Sequence, residues 1–179
     1  MIITFIGGSA SGKSGLAEDM ICRLAGDKNK YYIATMKVAE DDEEGARRVL
    51  KHRDQRKDKG FTTIECTRDI GNAFGESQDS EAKNILVECI SNLVANEMFF
   101  GSEIIDKDTT VSNVRDGINK LVKECENTVF VTNNISEDGK TYDATTMSYI
   151  EALGQINAML FDMSDEAYEA VVGIPVRIK

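Results

Sequence analysis

The strongest constraint on what this chain can fold into lies in residues 7 to 14. Gly7-Gly8-Ser9-Ala10-Ser11-Gly12-Lys13-Ser14 satisfies G-x-x-x-x-G-K-[ST]. The motif is informative because of its flanks. Ile2 to Ile6 is a short apolar run that breaks at Gly7-Gly8, which reads as a buried strand. After Ser14, the apolar residues Leu16, Ala17, Met20, Ile21 and Leu24 recur at helical spacing until Gly26 supplies a stop. A strand, a glycine-rich turn and a helix in that order form an anion cradle. The turn's N–H groups point inward, and the helix N-terminus adds partial positive charge. Lys13 is expected to reach the β- and γ-phosphates of ATP or GTP, and the Ser14 hydroxyl to coordinate Mg²⁺.

Further elements follow along the chain. Tyr31 to Thr35, Ile85 to Val87 and Thr128 to Thr132 read as strands. Val111, Val114, Ile118, Leu121, Val122 and Cys125 mark a helix, with Asp108, Thr109 and Thr110 as candidate N-caps. Tyr149, Leu153, Ile156 and Leu160 mark another. Ala170 to Val172 and Ile174 to Ile178, separated by Gly173, read as two strands around a tight connection, with Pro175 tolerated at an edge or as a strand's first residue. The expected fold class is α/β: a P-loop NTPase-type (RecA-like) three-layer fold, mostly parallel, with an antiparallel C-terminal edge hairpin. One domain over residues 1 to 179 is the simplest organisation, since no repeat or linker interrupts the pattern.

A net charge of -10 argues against nucleic acid as a partner. No window holds the ~20 apolar residues of a membrane span, and the first residues lack a basic, then apolar, leader, so a cytoplasmic location is expected. Cys22, Cys66, Cys89 and Cys125 stand more than 20 residues apart, which favours reduced buried thiols over a zinc site.

A P-loop needs a second carboxylate for its metal, ordinarily at the end of a buried strand, and Glu88 after Asn84-Ile85-Leu86-Val87 is the candidate. Residues 47 to 59 hold 7 of the chain's 21 Lys and Arg. The pairs Glu43 with Arg47 and Glu44 with Arg48 allow a solvated helix face to account for that stretch. His52, the only histidine, lies within it. Neighbouring cations favour its neutral form, which could act as nucleophile or base, yet spacing alone does not separate that role from a surface or packing one.

Taken together, these motifs resemble the bifunctional adenosylcobinamide kinase / adenosylcobinamide-phosphate guanylyltransferase family of cobalamin biosynthesis. The likeness runs through the P-loop, Tyr32-Ile33-Ala34-Thr35, Asp41-Asp42-Glu43, Ala46-Arg47, His52-Arg53-Asp54 and Arg56 to Glu65. It continues in Leu86-Val87-Glu88-Cys89-Ile90, Val131-Thr132-Asn133, Leu153-Gly154-Gln155-Ile156-Asn157 and Val172 to Lys179. The resemblance implies that His52 becomes guanylylated. It also implies that Ala34, Thr35, Met36, Arg53, Asp54, Gln55, Arg56, Glu65 and Glu88 line the guanine nucleotide site, and that the subunits form a homo-trimer acting on nucleotide and corrinoid substrates.

Several positions depart from the family pattern. Asn133-Asn134-Ile135-Ser136 stands where the family usually has Asn-Glu-Val-Gly, and the Pro and Arg that usually follow have no clear counterparts. Lys57 replaces a usual Pro, Phe61 a usual Trp, and the spacing to Glu65 is one residue longer. By the resemblance, these changes leave the nucleotide half intact and bear on the corrinoid end and on one of the two activities. Two other readings stay open: another P-loop small-molecule kinase, and a nucleotide-binding regulatory module without chemistry.

Overall fold

The structure is a computed structural model that describes residues 1–37, 42–75, 83–135, 140 and 142–179, with backbone alone at 43, 44, 46, 48, 51, 52 and 55. Strand β1 (Ile2–Gly7) enters the cradle and helix α1 (Lys13–Ala25) leaves it. There follow β2 (Lys30–Ala34), α2 (Glu43–Arg56), β3 (Phe61–Glu65), a 3-10 turn (Ile70–Asn72), β4 (Lys83–Glu88) and α3 (Ile90–Met98). A two-stranded ribbon, β5 (Phe99–Phe100) and β6 (Glu103–Ile104), precedes α4 (Lys107–Lys123), β7 (Cys125–Asn133) and α5 (Ala144–Met163). The chain closes with β8 (Glu166–Val171) and β9 (Ile174–Arg177).

Seven strands form one sheet in the order β3-β2-β4-β7-β1-β8-β9, parallel throughout except for β9. The central strands are buried on both faces, as parallel sheets require. In β4, Ile85 and Val87 pack with α3, α4 and α5, while Leu86 points to the α1 side with Phe5, Tyr32 and Ile21. Helices therefore cover both faces, and the strand ends that carry the P-loop stay open. This is the expected three-layer architecture with an antiparallel C-terminal edge strand. Among the described residues, no helix is long and apolar enough to cross a membrane.

Some details differ from the sequence reading. Strand β8 begins at Glu166, four residues before Ala170, and pairs parallel with β1, so the terminal hairpin joins the sheet through its first strand. Pro175 is the second residue of β9, on the outermost strand where its missing N–H is harmless. Helix α4 is capped by Asp106, not by Asp108, Thr109 or Thr110, because the Asp106 side chain accepts from the Thr109 N–H at 3.0 Å. Cys89 is buried, the other three cysteines are half-exposed, and none forms a disulfide. The side chains of Glu43, Glu44 and Arg48, and hence the two candidate ion pairs of α2, lie outside the described residues.

The Asp106 cap sets one expected result. Asp106→Ala should destabilise the protein by about 1 kcal/mol in urea unfolding, as loss of an N-cap does, leaving nucleotide binding intact.

Candidate active site

Three sheet registers assemble the site. Ala34 lies opposite Glu65 on one side and Glu88 on the other, so β3, β2 and β4 end level with one another. Glu88 in turn lies opposite Val131, and Gly7 opposite Asn133, which carries the edge on to the P-loop. Helix α2 borders this edge and closes one cavity of about 1140 Å³. That volume is slightly above the ~300–1,000 Å³ of ordinary small-molecule pockets.

The cradle has the geometry expected of an anion site. Ala10 and Gly12 take positive φ, 58° and 88°, to curl the loop, and the first turn of α1 has no side-chain cap, leaving its N–H groups for a ligand. Gly7 has to be glycine, since a Cβ there would stand 2.8 Å from both the Ala170 carbonyl and the Ser11 hydroxyl. Ser11 Oγ is buried in the cradle and has no hydrogen-bond partner among the described residues. Lys13 is buried, and its Nζ donates to the Gly8 carbonyl at 2.8 Å. Burial lowers the lysine's pKa, and the nearby Cys89 and Glu88 act in the opposite direction.

Beside Lys13, the Ser14 hydroxyl donates to the Glu88 carboxylate. A hydroxyl and a carboxylate side by side at the mouth of a phosphate cradle are hard oxygen donors suited to Mg²⁺, which takes its remaining ligands from phosphates and water. The residues present fit that ion. Tyr32, absent from the sequence reading of the site, sits between the two halves of the cavity. Its hydroxyl is in hydrogen-bonding reach of Glu88, while its ring lies 3.8 Å beneath the Arg56 guanidinium. Burial, with Glu88 next, raises the Tyr32 pKa, so the phenol stays protonated.

On the α2 side, Val49, Arg53 and Arg56 line the cavity at helical spacing. Arg53 Nη2 donates to Glu65 Oε1 at 2.8 Å, and the buried Arg56 reaches Thr63 Oγ1 at 3.4 Å. Of the candidate residues, Ser9 to Ser14, Ala34, Met36, Arg53, Arg56, Glu65 and Glu88 border the cavity. Thr35 is fully buried behind it, donating from Oγ1 to the Cys89 carbonyl at 2.7 Å, and Asp54 is exposed away from it. Gly7, buried, and Gly8, exposed, are not among the lining residues. The side chains of His52 and Gln55 lie outside the described residues; position 52 falls in α2.

The sequence reading also missed Asn92, Asn133, Asn134 and Ile135, which line the cavity opposite α2. Asn92 belongs to α3, whose nine residues carry no terminal signal strong enough to announce a helix. Tyr32 was visible only as part of the Tyr-Ile-Ala-Thr run.

The cobinamide kinase / cobinamide phosphate guanyltransferase family model matches residues 3–178. The bifunctional adenosylcobalamin biosynthesis protein CobU of Salmonella typhimurium is 30% identical over 189 residues, and that of Escherichia coli K12 is 27% identical, each alignment covering all of both chains. Among solved structures, one ATPase domain aligns with a TM-score of 0.53 at 8% identity, covering 94% of this chain and 68% of that one, which supports the P-loop ATPase fold alone. A phosphate cradle, a near-complete family match and full-length relatives agree: the chain belongs to the cobinamide kinase / cobinamide phosphate guanyltransferase family.

Proposed function

We propose that this chain carries out two successive transfers at one phosphate cradle. In the first, the aminopropanol hydroxyl of adenosylcobinamide attacks the γ-phosphorus of ATP or GTP, losing its proton and releasing the nucleoside diphosphate. Lys13 and the cradle amides stabilise charge on the equatorial oxygens. Bound Mg²⁺ would be held by Ser14 and Glu88 and would neutralise charge on the phosphates.

In the second transfer, a neutral His52 ring nitrogen attacks the α-phosphorus of GTP. The bond to the β-phosphate oxygen breaks and pyrophosphate leaves, giving a phosphoramidate. A phosphate oxygen of adenosylcobinamide phosphate then attacks the same phosphorus, frees the histidine and yields adenosylcobinamide-GDP. Arg53 and Arg56 supply positive charge along the path. In this reading, Ala34, Met36 and Glu65 border the guanine. The subunits assemble as trimers, a point that light scattering on the purified protein would check.

The observation that carries the reading is the single cavity that joins P-loop residues Lys13 and Ser14 to Val49, Arg53 and Arg56 of α2. Position 52 lies on α2, three residues after Val49 and four before Arg56, both of which line the cavity. The test is incubation with Mg²⁺ and GTP labelled at the α-phosphate. Label that resists alkali and is released by acid is the expected product. Phosphorylation of adenosylcobinamide without such label would reduce the assignment to a kinase, and neither reaction would point to a nucleotide-binding module. Glu88→Gln should raise the Mg²⁺ concentration needed for half-maximal phosphorylation by about tenfold or more, since one of its two protein ligands would lose its charge.

A further inference from the structure

The turn between β8 and β9 carries an unusual residue. Val171 pairs with Ile174, which leaves Val172 and Gly173 as a two-residue connection, both at positive φ, 50° and 81°. Turns of that kind favour Asn-Gly or Asp-Gly, because a β-branched side chain is strained in the left-handed region. Val172 buries nothing in return. It is 89% exposed, and its neighbours Val171 and Ile174 are 45% and 64% exposed. An apolar, strained tip that the core does not need points to a ligand.

The tip stands against the phosphate cradle. The Gly173 N–H donates to the Ser11 carbonyl at 2.8 Å, and a Cβ on Gly12 would meet Gly173 Cα at 3.0 Å. Strand order decides which flank of the cradle this is. Glu88 ends β4, two strands from β1 on one side, whereas β8 and β9 lie on the other. A triphosphate whose terminal phosphate is drawn to Lys13, Ser14 and Glu88 has the opposite flank open to its α-phosphate, ribose and base.

We propose that the apolar tip formed by Val171, Val172 and Ile174 is the rim on which the purine of the phosphoryl donor rests. The proposal builds on the kinase half of the proposed function. Its corollary is that the guanine nucleotide reacting at His52 enters from the other flank, with its base toward Arg53 and Glu65, so that the two nucleotides use one cradle in opposite senses. Apolar side chains hold a purine by burial and dispersion and contact its face, not its edge. The rim therefore accepts adenine and guanine alike.

Photolabelling with 8-azido-ATP and Mg²⁺, followed by peptide mapping, should place the label within residues 170–174. Label at 34–36 or 53–65 instead would overturn the proposal. Val172→Gly keeps the turn, because glycine adopts positive φ without strain, and removes only the side chain. Its Kd for ATP should rise about tenfold, the scale of one buried valine, while inorganic tripolyphosphate, which has no base, binds as before. Unchanged ATP affinity, or an equal loss for tripolyphosphate, would also overturn it. Both readouts are binding measurements. A protein labelled at the turn that fails to phosphorylate adenosylcobinamide would remove the proposed substrate and leave this inference standing.

Discussion

Lys13→Ala is expected to lower adenosylcobinamide phosphorylation and guanylyl labelling together, each by about 10²-fold or more, the scale of losing one preorganised donor to a developing charge. The structural basis is position: Lys13 opens α1, is buried, and holds its ammonium over the Gly8 carbonyl. Burial is the main influence on its pKa and lowers it, so the ammonium is lost as pH rises through a value below the ordinary lysine range. Both activities should fall with it on the alkaline side, at lower pH than an exposed lysine would dictate. Parallel kcat/KM measurements on the two reactions, with a thermal melt as control for folding, check this. A variant that loses phosphorylation but keeps labelling would show that pyrophosphate leaves from a different place, and the shared cradle would have to be abandoned.

What could be read from the sequence follows from which forces act locally. The P-loop was legible because its glycines, lysine and serine do their work within eight consecutive residues, and because a short apolar run precedes them and a helical period follows. Glu88 was legible as the residue that ends an unbroken apolar run. Strand β3, by contrast, is a half-exposed edge strand, Phe61-Thr62-Thr63-Ile64-Glu65, whose alternation is diluted by two threonines. It exists because β2 offers it a full parallel register, which no window of sequence displays. Asp106 caps α4 and the three candidates after it fall inside the helix, because its extended backbone, φ -61° and ψ 156°, aims the carboxylate at the Thr109 N–H.

The site itself shows the same division. Glu65, Ala34 and Glu88 are far apart in the chain and level in space, a consequence of strand register and not of motif spacing. Tyr32 gains its importance from two neighbours supplied by different elements, Arg56 from the last turn of α2 and Glu88 from the end of β4. Its guanidinium contact holds the end of α2 against the sheet, on the scale of about 0.5–2 kcal/mol for such a pair. The hydroxyl at the other end of the ring addresses the carboxylate that would hold the metal. One side chain thus ties the position of the basic helix to the position of the metal ligand, and the two reactions proposed for this cavity need both.

His52→Ala should abolish the acid-labile guanylyl label and leave GTP bound within about twofold of the parent affinity, because in the proposed mechanism the cradle and not the imidazole holds the phosphates. Adenosylcobinamide phosphorylation should persist in the same variant, since no step of the γ-phosphoryl transfer proposed above passes through position 52. His52 is the chain's only histidine, so the variant removes the one imidazole that the proposed mechanism uses. His52→Asn sharpens the test, for a carboxamide can hydrogen-bond in that position but cannot form the phosphoramidate. If either variant still takes up label, another group carries the guanylyl transfer. The stripe of α2 that faces the cavity would then serve only to bind the nucleotide.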